Sequence, residues 1–281
     1  MKALCHAKIN LFLKVLGKRN DGFHDLESLL AFTDLADELE VEKSNQFQIK
    51  ISGKFAEFVD PKNNLLTKTL DFFATEFGIT KNLYIRLKKN IPVGGGLGGG
   101  SSDAAQFMKI LNKIFALNLN KNELQKISLN FGSDIAFFFE DHASIIKGRG
   151  EVIENFPSFE PIPALLVNPC VNLSTKEIFY KFGTSFSPEI PTQKLLQENV
   201  FELIKSLPND LEKAAISTSP IISEILDTLK KSGADHAKMS GSGTTCFGIF
   251  ANEKKLDEAK KTLQQKFPRF FIKKISILSH V

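Results

Sequence analysis

Tryptophan is absent from the 281 residues, and two tyrosines accompany 26 phenylalanines. Aromatic content weighted this way suits core filling and points to no particular activity. Cysteine is sparse: Cys5, Cys170 and Cys246 stand far apart with no C-x-x-C pair. An odd number at that spacing suits neither a disulfide framework nor a metal site, and is the usage expected of a reducing cytoplasm. The five histidines form no H-E-x-x-H or comparable metal pattern. A strong excess of one charge is missing too. The formal net charge is +4, with lysines interleaved among acids, too little to argue for nucleic acid and compatible with an anionic small substrate. No apolar run approaches the roughly 20 residues of a membrane span. The longest, Ile135 to Phe139, is far shorter, so no membrane partner is expected. The N-terminal MKALCHAKINLFLKV does not read as a signal peptide, because Lys8, Asn10 and Lys14 interrupt its apolar stretch.

What is present is ordinary globular composition, 42% hydrophobic and 24% charged, at a length that suits two domains. Pro157, Pro161 and Pro163 in NFPSFEPIPAL break both helix and central strand. They predict a boundary there, with domains at 1–158 and 159–281. Before it, AKINLFLKV alternates, predicting a strand with Ile9, Leu11, Leu13 and Val15 on one face and Lys8, Asn10 and Phe12 on the other. QFQIKISG and NLYIRLKKN predict further strands, the latter with Leu83, Ile85 and Leu87 facing inward. NNLLTKTLDFFATEF has helical spacing through Leu66, Leu70, Phe73 and Phe77, as do the residues Ala104 to Phe115. After the boundary, ALLVNP predicts a strand and TQKLLQENVFELIKSL one helix. PIISEILDTLKKSG predicts another helix, stopped at Gly233. HAKMS and TTCFGIF predict two strands joined across GSG, followed by an amphipathic helix in NEKKLDEAKKTLQQKF and a closing strand in FFIKKISIL. The order suggests an α+β sandwich, ferredoxin-like with inserted helices.

The densest signal is PVGGGLGGGSSDAA, with six glycines in the seven positions Gly94 to Gly100. A flexible linker fits poorly, since Leu97 interrupts it, Pro92 stiffens its start and an apolar-faced helix follows at once. An anion cradle fits better. Backbone N–H groups without Cβ atoms can converge on a phosphate at a helix N-terminus, with Ser101 or Ser102 capping the helix and offering a hydroxyl. The stretch Pro92, Val93, Gly94, Gly95, Gly96, Leu97, Gly98, Gly99, Gly100, Ser101 and Ser102 is therefore the candidate nucleotide-binding segment. G-x-G-x-x-G is satisfied, but the acidic residue of a dinucleotide site does not follow, and the Walker Gly-Lys-Ser/Thr is missing. The residues give a phosphate site without naming the nucleotide.

Together with AKINLFLKVLGKRNDGFHDLESLL, FGSDIAFFF and KMSGSGTTCFGIF, this stretch makes the chain resemble the small-molecule kinases of the galactokinase, homoserine kinase, mevalonate kinase and phosphomevalonate kinase superfamily over essentially its whole length. The block AKIN…DGFH points to the branch acting on a substrate with a cytidine diphosphate group. The resemblance implies an N-terminal domain of the ribosomal protein S5 domain 2-like type, a ferredoxin-like C-terminal domain and an active site between them. It implies transfer of the ATP γ-phosphate to the 2-hydroxyl of a methylerythritol moiety, in the non-mevalonate route to isoprenoid precursors, with Mg2+ accompanying ATP and Ser102 as the one candidate ligand.

The same resemblance makes Lys8 and Asp134 catalytic, although a strand lysine is usually solvated and an aspartate after Gly-Ser usually makes a turn. It places Asn10 at the reacting end, and Phe23, His24, Thr175 and Phe179 around cytosine, although Phe179 suits helix packing equally well. The loop Gly241-Ser242-Gly243 is a supporting element or a simple hairpin turn. Two departures stand out: relatives commonly carry tyrosine at Phe23 and proline at Ala136. The competing readings are a mevalonate- or homoserine-type kinase, a nicotinamide-dependent oxidoreductase resting on G-x-G-x-x-G alone, and a non-catalytic nucleotide-binding module.

Overall fold

A computed structural model describes all 281 residues. The chain opens with two long strands, β1 (Lys2–Lys18) and β2 (His24–Lys43), and a short β3 (Gln48–Ser52). Next come α1 (Leu65–Phe77), β4 (Leu83–Lys88), α2 (Gly99–Ile114), α3 (Lys121–Ser128) and a 3-10 helix, Ser133–Phe139. The hairpin β5 (Ser144–Gly148) and β6 (Val152–Asn155) leads to β7 (Ile162–Asn168). Five helices follow: α4 (Thr175–Phe182), α5 (Thr192–Gln197), α6 (Val200–Ser206), α7 (Glu212–Thr218) and α8 (Ile221–Lys231). The chain ends with β8 (His236–Met239), β9 (Cys246–Ile249), α9 (Glu253–Lys266) and β10 (Phe271–Leu278). The fold is α+β, as expected.

Contacts gather these elements into two compact units, each assembled from separated stretches. One comprises Met1–Ala7, Leu35–Val93 and Gly98–Asp141; the other comprises Lys8–Asp34, Gly94–Leu97 and His142–Val281.

In the first unit the later half of β2 pairs antiparallel with β4, from Glu38 opposite Lys88 to Lys43 opposite Leu83. β3 runs parallel to β4. β4 buries Leu83, Ile85 and Leu87, as its alternation predicts. The start of α1 is fixed by Asn64, whose side chain accepts from the N–H groups of Leu66 and Thr67 in a capping box. Its end is set by Gly78 in the left-handed region, which glycine enters at no steric cost. Leu66, Leu70 and Phe73 line its buried face and Ala104, Phe107, Met108 and Leu111 that of α2.

In the second unit the strands are ordered β2, β10, β7, β9, β8, with β5 on β2 and β6 on β5. All these pairings are antiparallel. β7 lies centrally, with β10 on one side from Phe271 opposite Asn168 to Ile277 opposite Ile162. Its core joins Leu165 and Val167 to Ile222, Ile225 and Leu229 of α8 and to Leu256, Ala259 and Leu263 of α9.

Two expectations need correction, and one element was not predicted. The alternation in β1 predicts one exposed face, but every residue from Cys5 to Val15 except His6 is buried, Lys8, Asn10 and Lys14 among them. Alternation distinguishes two faces chemically, and here both are covered. TQKLLQENVFELIKSL is two helices, because Glu198 turns extended and the Asn199 side chain accepts from Phe201 N–H to start α6 afresh. An asparagine that satisfies an orphan amide favours a new helix start over continuation. The 20-residue β2 has no counterpart in the sequence reading. Its stretch Glu27–Thr33 is buried on both faces, so the period-2 signal is lost there. No helix is long and apolar enough to cross a membrane.

Phe107 of α2 is completely buried. Phe107→Ala is expected to cost about 3–5 kcal/mol, read from the urea midpoint. Tyr180, 86% exposed on α4, is the control, and its replacement by alanine is expected to stay within about 0.5 kcal/mol of the parent.

Candidate active site

The glycine segment leads directly into α2. Gly94, Gly96 and Gly98 have φ of +70°, +79° and +68°, a region other residues rarely adopt. In the second unit, a Cβ on Gly94 would meet the Asn172 side chain, one on Gly95 would lie 2.8 Å from Thr245 Oγ1, and one on Gly96 would strike the Ser240 carbonyl. In the first unit, a Cβ on Gly99 would lie 3.0 Å from Ile91 Cγ2. The protein's own packing therefore already requires bare backbone at these positions, whatever else approaches. At Gly100 a Cβ would meet nothing closer than ordinary contact, Leu65 Cδ1 at 3.6 Å.

The case for an anion rests instead on the start of α2. Its N-cap is Gly98, with no side-chain hydrogen bond capping the first turn. Ser101 and Ser102 lie inside the helix rather than capping it, because the helix begins earlier than the sequence suggests. The Ser102 hydroxyl is buried and meets no hydrogen-bond partner. An uncapped helix start beside an orphaned hydroxyl is a place where a phosphate oxygen would satisfy several donors at once. No three His, Cys, Asp or Glu side chains converge as a metal site. A divalent ion there would be held by phosphate oxygens, and Ser102 Oγ is the protein group that fits it.

Also in the first unit, Asp134 is an exposed residue in the opening turn of the 3-10 helix. The five residues after it, Ile135 to Phe139, are all buried. That apolar block anchors the turn and holds the carboxylate at its edge. Ala136 is buried within it, and the turn forms without proline.

The second unit holds Lys8 and Asn10, neighbours on one face of β1. Lys8 Nζ donates to Asn10 Oδ1 at 2.6 Å, and Asn10 Nδ2 donates to Ser28 Oγ on β2 at 2.9 Å. Ser28 Oγ donates to the Phe12 carbonyl at 2.5 Å. The Asn10 backbone N–H donates to Ser240 Oγ, which donates to the Gly96 carbonyl at 3.2 Å. Lys8 N–H and Thr245 N–H donate to the carbonyls of Leu97 and Gly95. The Lys8–Asn10 pair, the Ser240–Gly243 loop and Gly94–Leu97 thus form one hydrogen-bonded group. Ser28, Ser240 and Thr245 were not expected from the sequence, and the only signal for them was their closeness to expected motifs.

The four residues expected around a base sort into three contacts. His24 stacks on Phe179, with ring centroids 4.8 Å apart and planes 20° from parallel. Thr175 Oγ1 is 2.9 Å from Ser242 Oγ. Phe23 does not stack on Phe179. It lies half-exposed under Arg149, whose guanidinium carbon is 3.6 Å from the ring centroid. Phe179 also packs against the core of this unit, the helix-packing role open to it from the sequence.

Burial, and secondarily the charge of Lys18, hold His24 below the ordinary histidine range. Its ring is therefore expected to titrate below 6.5 by NMR. For a base whose folded value is depressed, the stabilising contribution is present above its unfolded value and lost as pH falls through that window.

Residues 64–141 match the family model of the GHMP kinases N terminal domain, and residues 192–269 match that of the GHMP kinases C terminal. A 4-diphosphocytidyl-2-C-methyl-D-erythritol kinase of Chelativorans sp. (strain BNC1) is 36% identical over 278 residues, covering 97% of this chain and 94% of its own. A namesake from Thermoanaerobacter sp. (strain X514) is 35% identical over 279 residues, with coverages of 98% and 96%. A crystal structure of 4-(cytidine 5'-diphospho)-2C-methyl-D-erythritol kinase aligns with a TM-score of 0.79 at 28% identity, over 98% of this chain and 99% of that one. Mevalonate kinase of L. major, crystallised with R-mevalonate, shares the fold at a TM-score of 0.70 and 16% identity, over 99% and 96%. The chain belongs to the GHMP kinase family, in the branch of the 4-diphosphocytidyl-2-C-methyl-D-erythritol kinases.

Proposed function

We propose that this protein transfers the γ-phosphate of ATP to the 2-hydroxyl of 4-diphosphocytidyl-2-C-methyl-D-erythritol, a step in making isoprenoid precursors, and that it works in the cytoplasm. The observation that carries this reading is that one unit contains both a buried Lys8–Asn10 pair and the His24–Phe179 stack. Mevalonate and homoserine carry no aromatic base and would have no use for the second.

In this reading the segment Pro92 to Ser102 holds the triphosphate, through the backbone N–H groups at the start of α2 and the Ser102 hydroxyl. Magnesium, arriving with ATP, would supply charge neutralisation on the phosphate oxygens. Lys8 is a compact ammonium already fixed by Asn10, so it offsets charge on the transferring phosphoryl group without reorganising. Asp134 orients the acceptor hydroxyl and takes its proton. Phosphoryl transfer passes through a loose transition state, so orientation counts for more than basicity. Asn10 steers the reacting end of the acceptor. His24, Phe23, Phe179 and Thr175 recognise the cytosine, through ring faces and edge hydrogen bonds. With phenylalanine at position 23 that contact is a ring face alone. The domains of this kinase are taken to divide at 158/159, and the two family matches, 64–141 and 192–269, fall on either side.

Incubation with ATP and, in turn, the cytidine diphosphate substrate, mevalonate and homoserine should give product from the first alone, with the phosphate position read by phosphorus NMR. Product only from mevalonate or homoserine would overturn the substrate assignment. Asp134→Asn is expected to lower turnover on the order of 10²–10⁴ while binding of a nonhydrolysable ATP analogue persists. Near-normal turnover in that variant would remove Asp134 from the mechanism.

A further inference from the structure

The glycine segment is only as well placed as its two ends, and in the first unit both are tied to one buried carboxylate, the start directly and the far end through Lys89. Asp37 of β2 is fully buried. Its Oδ1 accepts from the backbone N–H groups of Asn90 at 2.5 Å and Ile91 at 2.9 Å, the residues just before Pro92. Its Oδ2 takes Lys89 Nζ, which also donates to Asp103 Oδ2 at 2.6 Å, one residue beyond Ser102. Lys89 and Asp103 are themselves buried. The same two ends also press together without polar help, since a Cβ on Gly99 would lie 3.0 Å from Ile91 Cγ2 and 3.4 Å from Asp37 Oδ2.

An ion chain so enclosed is a poor source of stability, because desolvating three charges offsets most of what their attraction returns. It is a good source of geometry. Lys89 can reach both carboxylates only if the segment start and the first turns of α2 hold one separation. Asp37 fixes the backbone at the start through two amides rather than through a side chain.

We infer that Asp37, Lys89 and Asp103 are positioning residues for nucleotide binding: they set the separation of the two ends of the segment, and with it the aim of the uncapped α2 amides and the Ser102 hydroxyl. This rests on the proposed kinase reading. The three residues touch no substrate in it, so losing them should weaken nucleotide affinity far more than acceptor affinity.

The test uses the full chain in three forms: wild type, Lys89→Met, and the double variant Lys89→Met/Asp103→Leu. The double variant replaces the Lys89–Asp103 pair with apolar side chains and leaves Asp37 its two backbone donors, so it should fold even where the single variant, in which both carboxylates lose Lys89, does not. Melting temperature establishes folding. Calorimetry with a nonhydrolysable ATP analogue gives nucleotide affinity, and steady-state kinetics give separate KM values for ATP and acceptor. The expected result is a folded double variant with nucleotide affinity and ATP KM weakened at least about tenfold, displacement of an aligned site being costly, and with acceptor KM within about twofold. A folded double variant that binds nucleotide like the wild type overturns the inference. So does a parallel loss of both affinities. Wild type that fails to bind the analogue overturns the kinase reading, and this inference with it.

Discussion

A strand covered on both faces has no water in which to leave a polar group, so each one it carries must be matched inside the protein. That constraint on β1 organises much of the second unit. Lys8 is matched by Asn10, Asn10 by Ser28 and Ser240, and Ser28 by the strand's own Phe12 carbonyl. Further along the strand, Lys14 pairs at 3.1 Å with Glu27, a fully buried carboxylate. Glu27 also receives the Ile190 N–H and Lys147, which tie the stretch between α4 and α5 to β2 and β5. Each match removes rotamers from the groups involved. The ammonium of Lys8 is held by its partners rather than by solvent, which is the condition for electrostatic help without reorganisation.

The glycine segment meets a second constraint. Bare backbone at Gly94, Gly95 and Gly96 lets Asn172, Asn168, Thr245 and Ser240 approach closely, and donors on Thr245, Ser240 and Lys8 fix the carbonyls of Gly95, Gly96 and Leu97 in turn. Donors able to meet an anion are a separate set, the N–H groups at the start of α2 that no side chain caps. The division is chemical: carbonyl oxygens face protein donors, and the helix end keeps its amides without a side-chain cap.

Elements with one wet face were legible in the sequence. β4 alternates because one side of it packs, and α1 and α2 keep helical spacing because each buries a single stripe. β2 escaped because continuous burial erases alternation, and the single helix at 192–207 was overread because Asn199 restarts it through one local hydrogen bond. The same distinction runs through the site. The glycine cluster announced close approach but not the identity of the approaching atoms. Lys8 and Asn10 were found through a motif. Their partner Ser240 lies 230 positions beyond Asn10, where no local pattern reaches. Arg149, over Phe23, sits at the turn between β5 and β6, and nothing in the spacing of GRGE announces a ring beneath it.

The scarcity of large chromophores has its own consequence. With no tryptophan, emission excited at wavelengths that phenylalanine does not absorb comes from Tyr84 and Tyr180 alone. Tyr84 belongs to the first unit, its ring 4.2 Å from the Arg86 guanidinium, and Tyr180 belongs to the second and stands 86% exposed on the helix that carries Phe179. Each unit thus carries one native fluorophore in a distinct setting, one beside a cation and one in solvent. Removing either leaves a protein whose optical signal reports on a single half of the molecule.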